Sequence, residues 1–398
     1  MEIKVVMGSL FGDEGKGITV QWLCKQAIEE NKKVAVVRYC GGPQAAHTIV
    51  NNGIEHICST YGSGTLLGVP TFYIKGSLID PICAYNEWTV LKEKMTEVPQ
   101  IQIQSYVDCI TPYDVIANRN DKETLKDGSC GKGVWACKKR HMSKDYFLYT
   151  YSQFLPYVYK SKQFESVCDY YGCNREPELE SLYEKSCKEW DYKVWKVDKA
   201  FNSKLKEYDV LIFESTQGLL LDAKDGFFPN VTATQVGLEP VFEYLKQNEI
   251  EAIPEVFLVT RSYLTRHGNG YIPQAPLKWD LGEKHETNVY NEYQGNFKVG
   301  ALERRLFERA VDRHRLDYLD KKGYATFNLV VTHMDLPVKY GFLEMDNGFF
   351  TESVDLTLPH GFRSAMIMIE SCFDIRFKNL YYNDSPESNV KQFMFNEN

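Results

Sequence analysis

Residues 5 to 17, Val-Val-Met-Gly-Ser-Leu-Phe-Gly-Asp-Glu-Gly-Lys-Gly, constrain the fold more than any other stretch of this chain. An apolar strand over Lys4–Met7 runs into glycines that bracket one lysine, and a helix is expected over Ile18–Glu29. Strand, glycine loop and helix together make a phosphate cradle. Glycines let backbone N–H groups close on oxyanions, the helix presents its positive end, and Lys16 adds a point charge. A Walker A loop would place Ser or Thr after the lysine to hold a metal; here Gly17 follows Lys16. Asp13 sits inside the loop instead. A carboxylate among phosphates is repelled unless it holds Mg²⁺ or takes a proton from the substrate. The plainer alternative is a surface turn with scattered charges, which the strand–loop–helix context disfavours.

The rest of the chain fits one large α/β domain. Apolar, β-branched runs recur at Ile3–Met7, Lys33–Arg38, Thr71–Ile74, Ile101–Val107, Val210–Phe213, Glu255–Thr260 and Ala325–Val331, with helical periodicity between several of them. That alternation predicts a mostly parallel central sheet with both faces covered, of P-loop-NTPase-like type with helical insertions. Ligands on such sheets bind beyond the carboxyl ends of the strands. The loops after the first strand, after Arg38 and after Phe213 are placed accordingly. Residues 1–398 are read as a single domain, with 145–202, rich in Tyr, Lys, Glu and Trp, as a helical insertion within it. Glu303–Leu316 reads as an amphipathic helix, with Leu306, Phe307, Ala310 and Val311 on its apolar face.

Charge and cysteine content exclude several classes. Lys plus Arg total 46 against 54 Asp plus Glu, a net charge of −8, so a nucleic-acid or anionic-membrane surface is not expected. Any phosphate chemistry must come from local geometry. No run reaches the roughly 18 apolar residues of a membrane span, and the N-terminus has no signal-peptide pattern; a cytoplasmic location is expected. The 11 cysteines form no Cys-x-x-Cys pair and read as free thiols. Cys168, Cys173 and Cys187 have no nearby histidine with which to hold zinc.

Taken in series, the motifs are specific. Gly-Asp-Glu-Gly-Lys-Gly (12–17), Val-Val-Arg-Tyr-x-Gly-Gly with His-Thr (36–48), Phe-Glu-x-x-Gln-Gly-x-Leu-Leu-Asp (213–222), Val-Thr (231–232), Thr-Arg-x-Gly-x-Gly (265–270) and Thr-x-x-Asp (332–335) resemble the adenylosuccinate synthetase family in order and approximate spacing. The resemblance implies ligation of L-aspartate to the 6-position of a purine nucleoside monophosphate, driven by GTP with Mg²⁺, in a homodimer. It implies that Asp13 removes the purine N1 proton and binds the metal with the backbone carbonyl of Ala46. His47 and Lys16 would stabilise the transferring phosphoryl group, and Gln217 would contact the purine near its 6-position. For the triphosphate, the resemblance implies Gly12, Asp13, Glu14, Gly15, Lys16, Gly17, His47 and Thr48 at the phosphates. His333, Asp335 and Ser385 would meet the base, the Asp335 carboxylate favouring guanine over adenine because it can accept two donors. For the monophosphate it implies Gln44, Ser129, Cys130, Arg140, Gln217, Thr232 and His267, Arg140 being the nearest counterpart of an arginine given by the neighbouring subunit. For the amino acid it implies Gln294, Gly295, Asn296 and Lys298.

Several of these positions depart from the family pattern. Gln44-Ala-Ala-His47 stands for Asn-Ala-Gly-His, Cys130 for a threonine, His267 for a valine and His333 for a lysine. The family's arginine-rich amino-acid loop is Glu292-Tyr-Gln-Gly-Asn-Phe-Lys-Val-Gly300 here, where only Lys298 is cationic. A lysine cannot reproduce bidentate carboxylate recognition. One of the missing arginines reaches the ribose 2′-hydroxyl, so its loss suits a deoxynucleotide. A phage branch of the family aminates dGMP, though its members often lack the base that Asp13 provides. Two acceptors, IMP and dGMP, therefore stay open, as do GTP and ATP. A non-catalytic GTP-binding regulator is a further alternative, against which the intact Asp13, Lys16, His47 and Gln217 argue. A generic P-loop GTPase ranks last, because Gly17 supplies no hydroxyl.

Overall fold

Strand β1 (Glu2–Gly8) is buried on both faces near the middle of a ten-stranded sheet. Val5 and Met7 pack on one side with Phe213 and Leu258. Val6 faces the other way, with Val36, Ile212, Val259, Val330 and the apolar side of helix α1 (Lys16–Glu29). With strands numbered along the chain, the spatial order is β19 (Lys391–Phe393), β18 (Phe377–Tyr382), β15 (Thr326–Thr332), β11 (Glu255–Arg261), β1, β10 (Val210–Gly218), β2 (Val34–Arg38), β5 (Thr71–Tyr73), β7 (Ile101–Gln104), β9 (Tyr192–Trp195). Every pairing is parallel except β18 with β19. The expected α/β class and mostly parallel sheet are those the chain adopts. This computed structural model describes residues 1–143, 160–273, 276–281, 290–385, 387 and 389–394.

Smaller units hang from the carboxyl ends of the strands. β3 (His47–Asn51) and β4 (Ile54–Cys58) form a hairpin after β2, and β12 (Leu264–His267) pairs antiparallel with β13 (Phe297–Gly300) after β11. A short parallel pair joins β6 (Leu78–Ile79) to β8 (Asp108–Cys109), and β14 (Leu302–Glu303), β16 (Phe342–Asp346) and β17 (Thr351–Asp355) make a three-stranded sheet. Of the stretch expected as a helical insertion, residues 145–159 lie outside the described residues. Its remainder holds helices Lys160–Tyr171 and Pro177–Glu189, then β9, which pairs with β7 and so extends the central sheet. The amphipathic helix near residue 303 spans Arg304–Arg313 and buries Leu306, Phe307, Ala310 and Val311. Among the described residues, no helix is long and apolar enough to cross a membrane.

Candidate active site

The glycine loop is drawn tight around its own backbone. Gly12, Asp13 and Gly15 take positive φ values of 94°, 54° and 89°. Gly15 has a second reason to be glycine: an added Cβ would stand 2.7 Å from Thr332 Cγ2. Three carbonyls of the loop are tied to neighbouring strands, two in the central sheet and one in β12. Thr265 Oγ1 donates to Gly12 O at 3.0 Å, Thr332 Oγ1 donates to Glu14 O at 2.9 Å, and Arg261 Nε donates to Asp13 O. Glu14 turns inward, where its carboxylate accepts from Leu10 N at 2.6 Å and Gly12 N at 3.2 Å. Burial pushes its pKa up to about 7 against the pull of Lys16. The Glu14 side chain thus shapes the loop by holding its backbone, and the expected contact of residue 14 with the triphosphate would fall to its backbone N–H.

No side chain caps the N-terminus of α1, so its first N–H groups stay available to an anion. Lys16 opens the helix and is 2% exposed; burial lowers its pKa, opposed by Glu14, Asp13 and Glu214. The structure also explains Gly17. A Cβ there would lie 2.9 Å from His47 Cβ and 3.3 Å from Ser63 Oγ. The space that a Walker A hydroxyl would fill is taken by the β3–β4 hairpin. Gly17→Ser is therefore expected to displace His47 and to lower kcat about 100-fold, as steady-state kinetics on the folded variant would show.

His47 is 8% exposed and sits in a buried network that the sequence reading did not include. Its Nδ1 lies 2.6 Å from Glu214 Oε1. Glu214 also accepts from Ser63 N at 3.1 Å and from the Ser63 hydroxyl, with Arg38 NH1 at 3.8 Å. Burial alone would raise the Glu214 pKa, but His47, Arg38 and Ser63 hold it at about 2. An ionised Glu214 fixes the proton on His47 Nδ1, and Nε2 is buried with no partner among the described residues. Glu214 was within view as the acidic residue of the Phe-Glu-x-x-Gln-Gly motif at the end of an apolar strand. Ser63 carried no signal.

One cleft gathers most of the residues expected at the monophosphate. Gln44, Ser129, Cys130, Gln217, Thr232 and His267 all line it, and so does Gln294 from the expected amino-acid loop. Gln217 also reaches the glycine loop: its Oε1 would be 3.1 Å from a Cβ at Gly12. His267 Nε2 lies 3.5 Å from Asp13 Oδ2, which joins cleft and loop. Asn118, Asn230 and Arg266 belong to the lining too and were missed. Arg266 lay inside the 265–270 motif; the two asparagines carried no sequence signal. Gly295, Asn296 and Lys298 are not among the lining residues. Lys298 stands directly opposite Arg266 in the β12–β13 register, and Gly295 closes a turn with Asn291 through Gly295 N to Asn291 O at 2.7 Å.

Arg140 is a correction. It is 2% exposed and donates through Nε to Asp114 Oδ1 at 2.7 Å and through NH2 to Asp114 Oδ2 at 2.8 Å. A guanidinium committed in this way cannot be lent to a neighbouring subunit without breaking a buried pair. Burial would raise the Asp114 pKa, but Arg140, Thr111 N and the Tyr171 hydroxyl hold it below the usual value. Because the folded value lies below the unfolded one, the pair stabilises above the ordinary carboxylate range and the contribution is lost as pH falls through the folded pKa. Asp114→Asn would strand the cation, and a loss of about 3 kcal/mol is expected in denaturant unfolding at neutral pH.

The residues expected at the triphosphate base lie beyond β15 and β18. Met334 N donates to Asn383 O at 3.0 Å, which brings the Thr332–Asp335 segment against the Asn383–Ser385 segment. Asp335 is half-buried at the start of helix Asp335–Tyr340, and His333 is in the left-handed region at φ 58°. Thr48 is half-buried and Ala46 exposed on either side of His47. The Asp13 carboxylate and the backbone carbonyl of the exposed Ala46 are hard oxygen donors of the kind Mg²⁺ takes in small number alongside phosphates, so the donor chemistry suits that ion. Another cluster with metal-ligating chemistry, His56, Cys58 and Glu87, is closed by its own hydrogen bonds. Glu87 accepts from Ser59, Thr60 and Tyr61 N–H at 3.1, 2.6 and 3.2 Å, with His56 Nε2 at 3.2 Å.

Known proteins match this chain in sequence and in fold. A family model described as adenylosuccinate synthetase matches residues 5–295. The adenylosuccinate synthetase of Bacillus subtilis is 28% identical over 302 residues, 71% of this chain and 67% of that protein. That of Pseudomonas fluorescens is 27% identical over 83% of this chain and 80% of its own length. The match to the Borrelia turicatae protein, 27% identical over 59% of this chain, spans only 56% of that relative. Among solved structures, the fully ligated adenylosuccinate synthetase of Plasmodium falciparum superposes with a TM-score of 0.72 at 18% identity, covering 99% of this chain and 100% of that one. The succinoaminodeoxyadenylate synthetase of cyanophage S-2L, bound to dGMP and to dATP as energy donor, gives 0.65 at 13% identity over 98% and 95%. At such identities the two structures speak for the fold alone. The family model, however, runs over well more than half of the sequence and through the loops that meet at the site, and the chain belongs to the adenylosuccinate synthetase family.

Proposed function

We propose that this protein ligates L-aspartate to the 6-position of a 6-oxopurine nucleoside monophosphate, using a nucleoside triphosphate, through a 6-phosphoryl intermediate. The observation that carries this reading is the convergence of Asp13, Lys16, His47 and Gln217 where the glycine loop meets the cleft. A 6-oxo purine is a poor electrophile until its oxygen becomes a leaving group. Asp13 takes the N1 proton, and the developing charge on O6 attacks the terminal phosphoryl group. Lys16 and the open N-terminus of α1 offset charge on the phosphates. Burial lowers the His47 pKa against the pull of Glu214, so before a phosphoryl group arrives Nε2 carries a lone pair. A phosphoryl group brought to Nε2 favours protonation there, and the ionised Glu214 stabilises the imidazolium that donates to it. Attack by the aspartate amine at C6 then expels phosphate, with O6 leaving on phosphorus.

Mg²⁺, held by Asp13 and the Ala46 carbonyl, would neutralise charge between the phosphates when bound. The half-buried Asp335 supports GTP as the donor, with ATP as the alternative. The reading places the enzyme in the cytoplasm as a homodimer, by family analogy. One observation favours a second acceptor, dGMP in place of IMP: residues 292–300 hold no arginine to meet a ribose 2′-hydroxyl, and His267 lines the cleft beside them. A panel of IMP, dIMP, GMP and dGMP, each with aspartate and GTP or ATP, read by product mass, tests both. Conversion of IMP alone supports the first acceptor and conversion of dGMP alone the second. Failure with every acceptor while GTP binds would support the non-catalytic regulator.

A further inference from the structure

Arg38 is the most unusual charged residue outside the cleft. It ends β2, stands directly beside Glu214 in the β2–β10 register, and is 1% exposed. None of its three guanidinium nitrogens has a hydrogen-bond partner among the described residues. Five buried donors without direct partners are costly unless the surroundings compensate. Burial works against the charge here, while the Glu214 and Glu87 carboxylates offset it. Arg38 thus lies in the field of two buried carboxylates, and one of them, Glu214, is the residue on His47.

The other carboxylate reaches His47 by a separate route. Glu87, on helix α2 (Pro81–Lys94), is 7% exposed and accepts from three consecutive backbone N–H groups, those of Ser59, Thr60 and Tyr61. That contact closes the turn directly after β4. Tyr73 adds a hydrogen bond from its hydroxyl to Thr60 O at 2.6 Å, and Gly62 N donates to Thr71 Oγ1 at 2.8 Å. The same turn ends at Ser63, whose N–H and hydroxyl both donate to Glu214. Displacement of the 59–63 backbone would therefore move the donors that orient the Glu214 carboxylate.

We propose that Arg38 and Glu87 are positioning residues for His47: Arg38 holds the Glu214 carboxylate by its charge, and Glu87 holds the turn that supplies the Ser63 hydrogen bonds. Neither lines the cleft, so both act through Glu214. The proposal rests on the reading that His47 meets the transferring phosphoryl group. A residue that only supported the fold would lower thermal stability and leave the kinetics of the folded protein unchanged.

The test uses Arg38→Met, Arg38→Lys and Glu87→Gln, each alone and combined with Glu214→Gln, with kcat and KM measured on the acceptor that the wild type converts. Arg38→Met and Glu87→Gln are each expected to lower kcat about tenfold or more, with KM for the triphosphate within about twofold. Arg38→Lys keeps the charge and should regain most of the rate. In the Glu214→Gln background neither change should lower kcat much further, because the route to His47 is already cut. Values of kcat near wild type in Arg38→Met or Glu87→Gln, or losses that multiply fully with Glu214→Gln, would overturn the proposal. If Arg38→Met does not fold, Arg38→Gln, which also removes the charge, and Glu87→Gln carry the same comparison. If the wild type converts no acceptor, the proposed function has failed instead. The positioning claim is then read from the ¹⁵N shifts of the His47 ring, which would contradict it by staying unchanged in Glu87→Gln and in the charge-removing Arg38 variant.

Discussion

Asp13→Asn is expected to lower kcat about a thousandfold while the protein stays folded. Asparagine is the informative replacement because residue 13 sits at φ 54°, a conformation that asparagine accepts and most other side chains resist. The variant keeps size and polarity but cannot take the N1 proton, and general-base contributions run to about 10²- to 10⁴-fold. Loss of a metal ligand alone would show mainly as a raised requirement for Mg²⁺. Loss of the base persists at saturating Mg²⁺, so kinetics across a Mg²⁺ series separate the two. Turnover near that of the wild type would rule out Asp13 as the base.

Glu214→Gln comes next in expected effect, at about 100-fold in kcat. The amide keeps an acceptor for His47 Nδ1, but it no longer carries the charge that stabilises an imidazolium. It also leaves Arg38, 1% exposed, without its paired carboxylate. A fall in stability of about 3 kcal/mol is expected alongside the kinetic defect. Binding of the monophosphate should change little, since Glu214 is absent from the cleft lining. Equilibrium binding, thermal unfolding and kcat together distinguish this pattern from general damage, which would affect all three.

The centre of the sheet was the most legible part of the fold, for a physical reason. β1, β2, β10, β11 and β15 are covered on both faces, so their sequences read as continuous apolar runs. β9, Tyr-Lys-Val-Trp, and β18, Phe-Lys-Asn-Leu-Tyr-Tyr, lie toward the edges and stay half-exposed. Their polar content matches helix or loop as well as strand. At the site, residues tied to a strand end and a glycine were visible in the motifs: Asp13, Lys16, His47 and Gln217. What could not be read was which way each polar side chain turns. Glu14 and Arg140 are the charged type expected of ligand contacts, yet Glu14 folds beneath its own loop and Arg140 pairs with Asp114. The absence of a hydroxyl at Gly17 looked like a departure from a phosphate loop. It becomes intelligible only once β3 is seen to bring His47 against that glycine.

The central claim is that the purine oxygen becomes a phosphate oxygen before the amine attacks. The direct measurement is a single turnover with the acceptor labelled by ¹⁸O at the 6-position, followed by mass analysis of the products. The account predicts that the label appears in inorganic phosphate, because the O6–phosphorus bond forms and the C6–O6 bond breaks. Label released to water, or retained in the nucleotide product, would contradict it.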